Sequence, residues 1–210
     1  MKATQRICAW LVVLFFTVGL GGFLYPPYIN LFKALVPYHL LLMLLLMMIS
    51  QPAKNRFFWL FFLQIYVAGF LIELVGTQTG LVFGSYFYGA TLGIKVAGTP
   101  LMIGVNWILV IYSAGMLLSS LRIRNIYVFL VLGASMVTLL DYLIEPVAIQ
   151  FDYWSWDPAV IPLQNYVVWF IFSALLLALF YKMDFKKQNS AAVTYFVVQF
   201  VFFFVLRVWG

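Results

Sequence analysis

Seven long apolar runs, divided by short polar breaks, constrain this chain more than any other feature. They fall at about 7–24, 35–50, 57–75, 100–119, 126–145, 162–181 and 192–209, the second being the shortest. A helix needs roughly 20 predominantly apolar residues to cross a bilayer. Backbone N–H and C=O groups find no partners in hydrocarbon, so a spanning segment is a helix or part of a closed barrel. The runs are continuous and do not alternate in ten-residue stretches, which argues for helices. The expected fold is therefore all-α: a polytopic membrane helical bundle with about seven transmembrane helices. The connections are short, so residues 1–210 form a single integral membrane domain.

A chain that is 66% hydrophobic and 20% aromatic does not fit a soluble domain. Its net charge of +6 invites a nucleic-acid reading, but the placement of the charges argues against one. With the N-terminus in the cytoplasm, Lys2, Arg6, Lys54, Arg56, Arg122, Arg124, Lys182, Lys186 and Lys187 fall inside. Lys33, Lys95 and Arg207 fall outside, so nine stand against three, the positive-inside bias of a cytoplasmic-membrane protein. The basicity reads as topology. Cys8 is the sole cysteine, which leaves no disulfide framework and no thiolate metal site. The first run, with Lys2 and Arg6 before it and Gly19, Gly21 and Gly22 at its end, has some look of a signal peptide. The charge alternation nevertheless works with all seven helices kept.

Two external connections are rich in unusual residues. Gly76 to Thr99 holds six glycines with Phe83, Tyr86, Phe87 and Tyr88 among them, which suggests tight turns in a hairpin or re-entrant cap. Pro146 to Ile161 holds Asp152, Trp154, Trp156 and Asp157. Aromatics in such places suit a membrane interface. No strands are expected.

Only six acids occur: Glu73, Asp141, Glu145, Asp152, Asp157 and Asp184. An acid at the centre of a membrane helix costs about 2.5–3.5 kcal/mol, so acids in or beside apolar runs are candidates for function. Glu73 ends the third run, and Asp141 and Glu145 end the fifth, spaced i, i+4 on one helix face. His39, Asn106, Trp107, Asn165 and Trp169 come near the outer ends of their helices. Alone, each has a plain structural role, such as an interfacial acid or an interhelical tie. Together they place polar groups from helices two to six at one level, toward the outer leaflet, with inner halves nearly bare of them. One histidine and no thiol cluster argue against zinc, which leaves a carboxylate-only divalent site as the metal alternative, and no lysine sits mid-helix in the seventh run to hold retinal.

Carboxyls in a half-dry aromatic site suit proton chemistry on an apolar substrate. In water at pH 7 about one glutamic acid in 500 is protonated. Burial and a neighbouring carboxylate favour the neutral form, which can protonate a weak base. Aromatic faces then stabilise a cation.

The run Glu73-x-x-Gly76-x-x-x-Gly80-x-x-Phe83-Gly84-x-Tyr86-x-Tyr88 resembles the carotenoid biosynthesis protein family of membrane carotenoid hydratases. So do Leu92-Gly93, Gly98-x-Pro100 and Asn106-Trp107. A second block fits as well: Asp141, Glu145-Pro146-Val147-Ala148, Trp154-x-Trp156, Pro162-x-x-Asn165-Tyr166 and Trp169. The similarity covers about 70–170. Family members often read Asp-Pro where this chain has Glu145-Pro146, so the acid is kept but is one methylene longer.

The resemblance implies addition of water across the C1′=C2′ double bond of an acyclic carotenoid end, as in lycopene or γ-carotene, without a cofactor. Partners would be the carotenoid, water, the bilayer and other enzymes of carotenoid synthesis. Glu73, Asp141 and Glu145 are the expected catalytic residues, with Asp141 or Glu145 as the acid and Glu73 as the other carboxylate. His39, Phe83, Tyr86, Tyr88, Asn106, Trp107, Trp154, Trp156, Asn165 and Trp169 are the expected substrate-binding set. Within it, Tyr86, Trp107 or Trp169 would shield the cation, Asn165 or a carboxylate would position water, and His39 is a secondary proton-shuttle candidate. The alternatives are a lycopene cyclase-type enzyme, in which an internal double bond traps the cation, and a transporter or scaffold without catalysis. Transport predicts polar residues through the full depth and broken helices near the midplane.

Overall fold

The computed structural model describes residues 3–210; Lys2, counted above among the inside charges, lies outside the described residues. Among the described residues, seven helices are long and apolar enough to cross a membrane. They are α1 (Ala3–Leu24), α2 (Ile29–Ser50), α3 (Arg56–Thr79), α4 (Met102–Ser120), α5 (Ile126–Gln150), α6 (Leu163–Lys182) and α7 (Ser190–Trp209). The all-α membrane bundle expected from the sequence is thus the observed fold.

Short connections at one end, 51–55, 121–125 and 183–189, carry Lys54, Arg122, Arg124, Lys186 and Lys187, with Arg6, Arg56 and Lys182 on the adjoining helix ends. Asn55, Asn125 and Asn189 cap the helices that start there, each side chain accepting from a backbone N–H of the first turn. At the opposite end, 80–101 and 151–162 fold over the helix tips as a cap. Helix α4 runs through the middle: fourteen of its nineteen residues are buried, and it packs against α2, α3, α5, α6 and α7. The outer helices each leave an apolar face exposed, such as Leu63 and Leu71 on α3 and Leu175 on α6. Gly69 lets α3 close on α4, since a Cβ there would lie 2.6 Å from the Trp107 side chain.

Two helices run through prolines and pass their expected bounds. Helix α2 begins at Ile29, not near 35, with Pro37 inside it. Membrane helices tolerate such prolines because neighbouring groups satisfy the freed backbone. His39 therefore sits at mid-helix and not near the outer end. Helix α5 continues through Pro146 to Gln150. Pro146 offers no N–H to the Tyr142 carbonyl one turn earlier. Arg207 Nη1 of α7 donates to that oxygen at 2.5 Å, its guanidinium 4.1 Å from the Tyr142 ring centre.

The expectation of no strands is corrected. The cap contains β1 (Tyr86–Tyr88), β2 (Lys95–Val96), β3 (Thr99–Pro100) and β4 (Trp154–Trp156). Strand β1 pairs antiparallel with β4, joining the two connections, and β2 pairs with β3. Loop backbone that lies over helix tips needs partners for its polar groups, and each loop supplies them to the other. Asp152 strengthens the joint, its Oδ2 accepting from the Ala90 N–H at 3.0 Å. The basic end is not bare either. Tyr112 Oη donates to Gln51 Oε1 at 2.6 Å, and Asn189 Nδ2 donates to Tyr112 Oη at 2.9 Å. This buried latch ties the end of α2, α4 and the start of α7 together.

Candidate active site

Strand alternation puts Tyr86 and Tyr88 on one face of β1. The register sets Trp156 opposite Tyr86 and Trp154 opposite Tyr88. All four rings are buried and turn down into the bundle. Tyr86 Oη and Tyr88 Oη donate to Glu73 Oε2 at 2.6 and 2.7 Å. Trp107 Nε1 of α4 donates to Glu73 Oε1 at 3.0 Å. Gly76, one turn after Glu73, leaves space for this arrangement, because a Cβ there would lie 2.9 Å from Tyr86 Oη.

The tryptophans serve the other glutamate. Trp154 Nε1 and Trp156 Nε1 donate to Glu145 Oε2 at 3.0 and 2.8 Å. Asn165 Nδ2 of α6 bridges the two acids of α5, donating to Glu145 Oε1 at 3.1 Å and to Asp141 Oδ2 at 2.9 Å. Every oxygen of the two glutamates thus accepts from a neutral N–H or O–H. Asp141 differs: its Oδ1 is buried without a partner. Burial, with Glu73 beside them, pushes the Tyr86 and Tyr88 hydroxyls well above the ordinary tyrosine range, so both remain donors.

These groups surround a small chamber of about 20 Å³, lined by the three acids, Phe83, Tyr86, Tyr88, Asn106, Trp154, Trp156, Asn165 and Trp169 among others. About 10–15 Å³ accommodates one water when several polar groups can hold it. A second, larger cavity of about 330 Å³ lies between α1, α2 and α7 and is lined mostly by apolar and aromatic side chains. The two share Ile103, Asn106, Ile144 and Trp154 as a common wall. Val18 of α1 with Leu35 and Tyr38 of α2 line the groove and are exposed on the outer face of the bundle. The groove therefore opens sideways, between α1 and α2, toward lipid.

Most of the residues singled out in the sequence converge here. Glu73, Asp141 and Glu145 line one chamber, as do all the binding candidates except His39 and Trp107. Trp107 stands behind the wall, holding Glu73 and stacked on Trp169 with ring centres 4.3 Å apart. His39 stands apart from the acids: it lines the groove, edge-on to Phe16 at 4.9 Å, and only its expected depth near the outer end is corrected. The longer α2 carries it to mid-depth. The aromatic groove residues Phe16, Phe23, Phe32, Tyr195 and Phe202 were not foreseen. An aromatic residue in a membrane helix reads the same whether it faces lipid, core or cavity. Among the described residues, no group of three or more His, Cys, Asp or Glu side chains is arranged to hold a metal ion.

Residues 34–209 match the model of a family described as carotenoid biosynthesis protein. Over 116 residues the chain is 29% identical to a bisanhydrobacterioruberin hydratase of Haloarcula japonica. That alignment covers 52% of this chain and 40% of the relative's length. No solved structure matches the chain.

Proposed function

The chain belongs to the carotenoid biosynthesis protein family, matched over most of its length, and from that premise we propose that it hydrates the C1′=C2′ double bond of an acyclic carotenoid end. The similarity to a protein named as a hydratase supports the reaction class. The carrying observation is the unpaired Asp141 Oδ1 in a chamber with room for about one water.

The hydrogen-bond partners support different roles for the acids. Both glutamates are surrounded by donors, which suits the ionised, acceptor-only form. Among the carboxyl oxygens lining the chamber, Asp141 Oδ1 alone lacks a donor, which leaves it to carry a proton toward substrate. The polyene lies in the groove and passes its end by Ile103 and Ile144. Asp141 transfers its proton to C2′, and the π electrons form the new C–H bond, leaving a tertiary cation at C1′. Glu73 and Glu145 provide fixed negative charge, and Trp169 and Tyr86 present ring faces. Water held in the chamber by Asn106 and Asn165 attacks C1′ and loses a proton to Asp141, which closes the cycle. Addition of water requires neither oxidant nor reductant. A site that holds water beside the cation favours hydration over cyclisation. The positive-inside bias supports an N-terminus in the cytoplasm and a chamber toward the outer leaflet.

Expression in a lycopene-accumulating host tests the reading. The expected result is a pigment heavier by one water per reacted end. A hydrocarbon isomer would indicate cyclisation, and unchanged lycopene would overturn the proposal.

A further inference from the structure

Gln199 lies at the middle of α7, is 3% exposed and lines the groove, and its Oε1 is buried without a hydrogen-bond partner. The proton chemistry of the chamber makes no use of it. Leaving a buried polar atom unsatisfied costs about 1–3 kcal/mol, so a ligand that offers a donor at this position gains affinity.

The surroundings define that ligand. Tyr195 and Phe202, about one turn either side of Gln199, pack edge-on against Phe16 at 5.4 Å each. His39 meets the same Phe16 ring from α2. Most of the remaining wall is hydrocarbon, and its mouth faces lipid. A charged group at this depth would be costly without a counter-ion. A hydroxyl on a long apolar body fits: it donates to Oε1, can accept from the amide Nε2, and carries no charge.

We infer that the groove is a binding site for a polyene alcohol, with Gln199 reading the hydroxyl. The naming of that alcohol as the reaction product rests on the hydratase reading; the hydroxyl preference does not. An alcohol end formed at Asp141 withdraws past the shared wall of Ile103, Asn106, Ile144 and Trp154 and comes to rest at Gln199. In the chamber the new hydroxyl would be open to the reverse reaction: protonation by Asp141, cleavage of the C–O bond to release water, and return of a C2′ proton to the carboxylate. At Gln199 the hydroxyl is clear of the acid.

The test is binding to purified protein in detergent, followed by quenching of tryptophan emission, with lycopene and its 1-hydroxy derivative as probes. The unmodified protein is expected to bind the alcohol roughly three- to tenfold more tightly, the equivalent of one net hydrogen bond. Gln199→Leu and Gln199→Met should bring the ratio to about one while keeping the affinity for lycopene, which also shows that the variants fold. Equal affinities in the unmodified protein, or a preference that survives both substitutions, would overturn the inference. No turnover is needed, so the two readings fail separately. Selective alcohol binding without hydration would sink the hydratase reading alone; hydration without alcohol preference would sink this site alone.

Discussion

Tyr86 and Trp156 face one another across the β1–β4 ladder, and their polar tips go to different acids. The Tyr86 hydroxyl reaches Glu73 and the Trp156 indole reaches Glu145. One small sheet thereby fixes the carboxyls of two helices, α3 and α5, that begin far apart in the chain.

Asp141→Asn is expected to abolish hydrated pigment while the protein still purifies with an unchanged melting temperature. Asparagine fills the same space but cannot supply the proton. Pigment mass analysis beside a thermal melt checks this. Product formation within tenfold of the unmodified protein would remove Asp141 from the acid role.

Trp156→Phe removes one of the two donors to Glu145 Oε2 and keeps most of the ring. A hydrogen bond to a charged group is worth about 1.5–3 kcal/mol. Turnover should fall by roughly 10- to 100-fold if Glu145 acts as an anion in the reaction. Unchanged turnover would mean that Glu145 is a structural acceptor only.

Gly69→Val is expected to destabilise the bundle by about 1–3 kcal/mol, since overpacking displaces Trp107. Lost Trp107–Trp169 stacking should appear in the near-ultraviolet circular dichroism. Wild-type melting would show that α3 and α4 can part without penalty.

Arg207→Met leaves the Tyr142 carbonyl, already freed by Pro146, without its donor. The melting temperature should drop, and Pro146→Ala in the same chain should restore most of the loss by returning an N–H to that carbonyl. Additive effects of the two substitutions would refute the link.

Tyr86 and Tyr88 have raised folded-state pKa values, from burial first and from Glu73 second. An unfolded tyrosine ionises near pH 10, so their contribution to stability is intact below that pH and declines above it as the unfolded chain loses protons. Tyrosinate absorbance should therefore show residues that do not titrate until the protein melts in alkali. Normal ionisation of Tyr86 and Tyr88 in the folded protein, identified by difference from the Tyr86→Phe and Tyr88→Phe variants, would contradict the site geometry.

The spanning helices were legible because apolar length is a direct physical requirement of a bilayer. Glu73, Asp141 and Glu145 were legible because acids are so expensive there. Their donors were only half legible. Tyr86, Tyr88, Trp154 and Trp156 stood out as aromatic loop residues, yet their alternation matters only once β1 finds β4, and that pairing joins segments with no shared local pattern. His39 was misplaced because Pro37 falls inside α2, and nothing local reveals how far before the proline a membrane helix begins. The groove was hidden because side-chain type does not say which neighbour a helix face meets.

The sideways mouth between α1 and α2 changes what dose means for this protein. A ligand arriving through Val18 and Leu35 is counted by its mole fraction among acyl chains, not by its amount per volume of water. Diluting a reconstituted preparation with buffer should leave the rate per protein molecule unchanged. Diluting it with extra phospholipid should slow it, as the same pigment spreads over more membrane.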